Sequence, residues 1–201
     1  MPSPRVERET PTFIQSARRT QLVGVAIDVI AEVGAEKASL NKVAERAGVS
    51  RGVLTYHFGS RDGLLDAVVA EVYSVAAEQV GPAVTDATTP RDALAHFITG
   101  SIEFYANYPR HMSSLASIFA SGHTPRATSG EHASEMLEVD MILSRGIDVG
   151  QFRPMDTELM AVVIRSILDA ALKRVAAGSD THSLIEEVLH TVLAATRLEN
   201  R

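Results

Sequence analysis

Ser39 to Leu65 reads SLNKVAERAGVSRGVLTYHFGSRDGLL, and its spacing lays out two short helices joined by a tight turn. Ser39 is placed to cap the first, because its hydroxyl can accept from an amide that the first helical turn leaves unpaired. Val43, Ala44 and Ala47 fall three and four apart and share that helix's inward face, and the small Ala44 lets a second helix cross closely. Gly48 stands where the chain must turn, since glycine takes the left-handed backbone that ends a helix without steric cost. Val49 plugs the turn. Ser50 is expected to cap the second helix, whose inner side is Leu54 and Phe58. Its outward residues are Arg51, Gly52, Val53, Thr55, Tyr56 and His57, a mixture of donors, small residues and an aromatic. That mixture suits the major groove, where a recognition helix meets base edges and phosphates.

On these residues the chain resembles the tetracycline-repressor-like (TetR) family of transcriptional regulators. The resemblance rests on Ser39, Val43, Ala44, Ala47, Gly48, Val49, Ser50, Gly52, Leu54, His57, Phe58, Arg61, Leu64 and Leu65, with Ala26, Ile30 and Gly34 in the preceding helix. Thr55 departs from the aromatic common at its position, and Arg61 from a lysine. The resemblance implies DNA contacts from Ser39, Asn41, Arg51, Gly52, Val53, Thr55, Tyr56, His57 and Arg61, with Tyr56 and Arg61 on phosphates and Arg51 and Thr55 on base edges.

The whole chain of 201 residues has net charge −6, an unpromising value for a DNA binder, yet the charge is unevenly spread. Residues 1–61 carry nine Lys and Arg against six Asp and Glu, net +3; the remainder carries ten against nineteen, net −9. A basic head on an acidic body fits an electrostatic footprint confined to one domain. Charges interrupt every long apolar run, so no membrane span is expected. The mixed charges of Arg5, Glu7, Arg8 and Glu9 do not make a secretory signal. Absence of cysteine excludes a disulfide framework and thiol chemistry, and a cytoplasmic location is expected.

Helical periodicity runs to the end and strand signals are scarce, so the fold class expected is all-α: a three-helix helix-turn-helix domain, then a helical body for effector binding and dimerisation. The boundaries read as a flexible arm over 1–15, the DNA-binding domain over 16–61 and the body over 62–201. The first helix is expected over 16–33, closed by Gly34. Asp62 is expected to cap a fourth helix ending at Gly81–Pro82, and residues 84–90 to form a linker before a helix opened by Thr89 and Pro90. Pro109 starts a short helix that ends near Gly122. Residues 122–130 read as an exposed loop and 131–149 as a helix with Met136, Leu137, Met141, Ile142 and Ile147 inward. Gly150–Pro154 reads as a turn plugged by Phe152, in a GxFxxxD passage that also resembles TetR-like bodies.

The last two helices bear on assembly. The stretch from Thr157 to Val175 is apolar on most of its circumference, which demands cover on more than one side. A second apolar stripe follows, with Leu184, Ile185, Val188, Leu189, Val192 and Leu193. The resemblance implies that this pair forms a four-helix bundle with its copy, a homodimer, and symmetric pairing is the commonest oligomer solution.

Enzyme chemistry lacks its constellation. His96, His111, His123, His132, His182 and His190 show no paired metal-ligand spacing. His132 and Glu135 read as a helix-start pair, Glu138 and Asp140 point apart, and no nucleophile elbow or phosphate loop is present. No catalytic residue, metal or cofactor is expected. The aromatic, methionine and few polar residues of the body suit a small-molecule site: His96, Phe104, Tyr105, Tyr108, His111, Met112, Leu115, Phe119, Met141 and Arg165, with Met136 beside them. Arg165 and Asp169 are spaced for an ion pair. The function expected is a repressor that binds a palindromic double-stranded operator and is released by a small, mainly apolar or aromatic effector. The alternative is a helical ligand-binding or scaffold protein that has lost operator recognition.

Overall fold

The computed structural model describes residues 13–123 and 128–198. Side chains are described from Gln15 onward and, in the later segment, from Glu138 onward. The expected arm therefore falls almost wholly outside the described residues, as do the side chains of His132, Glu135, Met136 and Leu137. Within the described residues the chain forms α1 (Phe13–Val33), a 3-10 turn (Ala35–Lys37), α2 (Leu40–Ala47), α3 (Arg51–Phe58), α4 (Arg61–Thr85), α5 (Pro90–Asn107), α6 (Pro109–Ala120), α7 (Thr128–Asp148), α8 (Thr157–Ala176) and α9 (Thr181–Thr196). The β structure there is one isolated antiparallel bridge between Phe152 and Arg197.

The head packs on α1. Of the residues whose spacing places them inward, Leu22, Ala26, Val29 and Ile30 are buried and Val25 only partly so; Val23 and Ile27 join them, and they meet Val43, Ala44, Leu54 and Phe58. Ser39 caps α2 by accepting from the Lys42 amide at 3.2 Å, an arrangement whose loss costs about 1 kcal/mol. Gly48 takes the left-handed conformation, φ 64° and ψ 34°. Ser50 stands at the cap position of α3, but its side chain makes no capping bond; α3 starts instead on the Val53 amide donating to the Ser50 carbonyl at 3.1 Å.

Several expected boundaries move. The α4 helix is capped by Ser60, not Asp62, because the Ser60 hydroxyl accepts from the Gly63 amide at 3.1 Å. It then runs through Gly81 and Pro82 to Thr85. Proline inside a helix forfeits one backbone bond, yet here Val80 and Val84 are both buried, and apolar burial on either side of the proline offsets that loss. Val80 sits tight against α5: a Cβ placed on Gly100 would lie 3.2 Å from a Val80 methyl. The expected linker shrinks to 86–89, after which Thr89 caps α5 by accepting from the Asp92 amide at 3.1 Å. The α7 helix begins at Thr128, inside the stretch expected as a loop, and α1 reaches back to Phe13.

The body is built around α5, which packs against α4, α7, α8 and α9 and contributes the fully buried Leu94, Ile98 and Ile102. Phe152 does plug its turn. Its ring lies so close to α7 that a Cβ on Gly146 would sit 2.0 Å from it. The aspartate of the same passage, Asp156, caps α8 through the Leu159 amide at 3.0 Å. Asp180 caps α9, and the hydrogen bond from the Ser183 amide holds its carboxyl below the ordinary aspartate value.

Candidate DNA-binding face and effector cavity

Leu54 and Phe58 anchor α3 in the core, so its other faces turn outward by helical geometry. Arg51, Gly52, Thr55 and Tyr56 are exposed, Val53 and His57 half-buried. Tyr56 is 72% exposed, and its ring meets His57 edge-on at 5.2 Å. The Thr55 hydroxyl donates to the Arg51 carbonyl at 3.2 Å, which keeps its lone pairs for an incoming donor. Ser39, Asn41, Arg51, Thr55 and Arg61 converge on one surface concavity of about 430 Å³, shared with Leu40, Gly59 and Ser60. Gly52, Val53, Tyr56 and His57 lie along the same helix without lining it.

Two residues of α1 support this face and carried no motif signal in the sequence. The Gln15 amide donates to the Tyr56 hydroxyl at 3.2 Å, and the Arg19 guanidinium lies 5.2 Å over the Phe58 ring. Arg61 is engaged differently from its expected phosphate role. Its Nε donates to the Ala38 carbonyl at 3.1 Å and its Nη2 to the Ala35 carbonyl.

In the body, a cavity of about 390 Å³ opens among α4, α5, α6, α7 and α8. Five of the ten expected residues line it: Phe104, Tyr105, Met112, Leu115 and Arg165. The other five do not. His96 sits on the exposed side of α5, with Nδ1 2.7 Å from the Ala83 carbonyl. Tyr108 and His111 pack beside the cavity, Tyr108 stacked on Phe104 at 4.7 Å and His111 edge-on to Tyr108 at 5.4 Å. Phe119 is 43% and Met141 63% exposed. The buried stripe of α6 is Met112, Leu115 and Ile118, and one residue further is a rotation of about 100° that carries Phe119 off it. The same step from Val139, Ile142 and Leu143, which are buried on α7, turns Met141 outward.

The wall the sequence did not reveal comes chiefly from α4: Val72, Tyr73, Ser74, Ala76, Ala77, Val80 and Gly81. Phe97, Ser101 and Glu138 complete it. The lining is apolar with a few polar tips and one charge of each sign, Glu138 and Arg165. Arg165 also makes the expected ion pair, Nε to Asp169 Oδ1 at 3.1 Å.

The α6 helix borders the cavity and also holds the head. The inner side of α6 gives Met112 and Leu115 to the cavity, while its other side holds the head. Arg110 Nη1 lies 2.7 Å from Asp28 and 3.7 Å from Glu32, and Glu32 is bonded in turn to Arg46 of α2 at 2.7 Å. The hydrogen bond from Arg46 holds the Glu32 carboxyl below its ordinary value and raises Arg46 in return. The Ala35 amide donates to Ser117 Oγ at 2.7 Å. Just beyond α6, His123 Nε2 lies 3.1 Å from Asp66 on α4. At the start of α6, burial lowers the His111 pKa, opposed by the Glu71 and Asp28 carboxylates. Among the described residues, no three His, Asp or Glu side chains converge as metal ligands would, and no helix is long and apolar enough to cross a membrane.

The described residues thus form a short helix pair with an exposed second helix on a helical body that encloses a cavity. The comparisons with known proteins point the same way and not toward an enzyme. Residues 22–68 match the family described as bacterial regulatory proteins, tetR family. The HTH-type transcriptional regulator BetI of Stenotrophomonas maltophilia is 32% identical over 91 residues, which is 45% of this chain and 46% of that protein. The match thus spans less than half the length of that relative. Among solved structures, the fatty acid degradation regulator FadR from Bacillus halodurans superposes with a TM-score of 0.79 at 22% identity, covering 89% of this chain and 99% of its own. The TetR-family regulator PfmR from Thermus thermophilus gives 0.73 at 20% identity, covering 90% and 100%. The head, residues 22–68, is thus similar to the DNA-binding segment of tetR-family regulators, and the body is matched in fold alone.

Proposed function

We propose that the protein is a sequence-specific DNA-binding transcriptional repressor of the cytoplasm, released from a palindromic operator by a small, mainly apolar or aromatic ligand. The observation that carries this reading is the placement of α6, which lines the cavity with one side and grips the head with the other. Arg51 and Thr55 read base edges. Tyr56 donates its hydroxyl to a phosphate, its position set by Gln15, while Ser39, Asn41, Gly52, Val53 and His57 complete the contact surface. The ligand occupies the cavity of about 390 Å³, a volume in the range of small-molecule sites, with its apolar body against Phe97, Phe104, Met112 and Leu115. Tyr105 and Arg165 meet its polar end.

Two copies pair through α8 and α9. Leu159, Val162 and Val163 are exposed along one side of α8, and Ile167, Leu184, Ile185, Leu189 and Leu193 are only partly buried within one chain. Pairing by a two-fold axis covers them and sets two recognition helices against two half-sites. A ligand shifts this dimer only by its difference in affinity for the operator-ready and released states.

The test selects duplexes from a randomised pool with the whole protein, then screens apolar compounds by thermal shift and adds the hits to the selected complex. Hits that raise stability and release the duplex support both halves. Hits that stabilise without release remove the switch, and binding restricted to polyanions removes the cavity chemistry.

A further inference from the structure

We propose that Arg61 is a positioning residue, which with Ser117 clamps Ala35 between α4 and α6 and so sets the stance of the recognition helix. The inference rests on the DNA-binding reading above. At this position the family resemblance implies a cation on a phosphate, but the geometry directs all three guanidinium nitrogens to oxygens of the chain itself. Nε donates to the Ala38 carbonyl at 3.1 Å and Nη2 to the Ala35 carbonyl, while Nη1 faces Asp62 Oδ1 at 3.9 Å. The side chain is only 37% exposed. Arginine suits this task and lysine does not, because a planar fork spans two acceptors that a single ammonium cannot hold in the same geometry.

The clamped segment is short and stiff. Ala35 and Ala38 are buried, and the Ala38 amide closes the turn on the Gly34 and Ala35 carbonyls at 3.1 and 3.2 Å. From the other side Ser117 of α6 accepts the Ala35 amide at 2.7 Å. Gly34, with φ 81°, brings the backbone close to that hydroxyl: a Cβ there would lie 3.6 Å from Ser117 Oγ. Ala35 is therefore tied to α6 through its N–H and to α4 through its carbonyl. The α2 helix starts at Leu40, directly after this turn, and α3 follows α2 through Gly48. A displacement of α6 is thereby delivered to α2 and α3 through hydrogen bonds between side chains and the main chain of this turn, with less dependence on salt than the exposed Arg110 ion pairs.

The proposal is tested by Arg61→Gln, Arg61→Lys and Ser117→Ala in the whole protein, with two readouts. The first is affinity for the selected duplex as a function of salt. A positioning role predicts that Arg61→Gln and Arg61→Lys both weaken binding by roughly tenfold with the slope of log affinity against log salt unchanged. A phosphate role predicts a slope smaller by about 0.9 for Arg61→Gln and near-normal binding for Arg61→Lys, and that result overturns the proposal. The second readout, hydrogen exchange of the Ala35 and Ala38 amides in the free protein, needs no DNA. The proposal predicts at least roughly tenfold faster exchange at Ala35 in Ser117→Ala and at Ala38 in Arg61→Gln. Unchanged exchange in both overturns it. If the wild-type protein selects no duplex, the DNA-binding reading fails, while the exchange measurement still decides whether the clamp exists.

Discussion

His111 stands where the turn at Pro109 meets the wall of the cavity, and its environment prefers the neutral ring. Burial holds its pKa below the ordinary 6.5, against the opposing pull of Glu71 and Asp28. A base with a lowered folded pKa binds fewer protons folded than unfolded, so its contribution is complete above pH 6.5 and is lost as pH falls through the lower folded value. Stability should therefore drop on acidification through this window, and His111→Gln should flatten that part of the profile. Urea unfolding at a series of pH values checks it; superimposable wild-type and variant profiles would contradict the assignment. Gly63 offers a second test on the scale of one atom. A Cβ there would lie 2.1 Å from the Phe58 carbonyl oxygen, a backbone atom that cannot swing aside. Gly63→Ala should cost about 1–3 kcal/mol, seen as a lower urea midpoint, and an unchanged midpoint would mean that α3 and α4 meet differently.

At the level of elements, α2 and α3 were legible because their chemistry is local. Ser39, Gly48, Leu54 and Phe58 take their tasks from spacing within a few residues, and the structure places each as that spacing requires. The body was less legible for two physical reasons. Gly81–Pro82 carries a strong stop signal, yet burial of Val80 and Val84 carries α4 past it. Which apolar residue faces a void and which faces a neighbour also depends on long-range packing. Phe119 and Met141 have the right chemistry, and a single residue step turns them away. Arg61 was visible as a cation, but its carbonyl partners come from a turn that only the folded head brings near. Within α3, Arg51→Ala should lose about 1–3 kcal/mol of discrimination between the selected and a scrambled duplex. Tyr56→Phe should weaken both duplexes alike. Binding titrations on the two duplexes separate these outcomes, and loss of discrimination in Tyr56→Phe alone would exchange the two roles.

For the whole molecule, charge and apolar surface divide the work. The head is net basic and the body net acidic, which confines favourable phosphate interactions to one end. The apolar surface left open on α8 is covered in the proposed dimer. Ile167→Asp or Leu189→Asp would place an unpaired charge in that bundle at a cost of several kcal/mol, so light scattering should report monomer or misfolded material. A folded dimer of wild-type stability from both variants would place the interface elsewhere. The central claim, that the α3 face reads DNA, is tested most directly by titrating the whole protein onto its selected duplex and a scrambled one between about 50 and 200 mM salt. The account predicts that log affinity falls linearly with log salt on both, with the selected duplex bound at least about a thousandfold more tightly. Equal affinity for the two duplexes, or binding indifferent to salt, would contradict it.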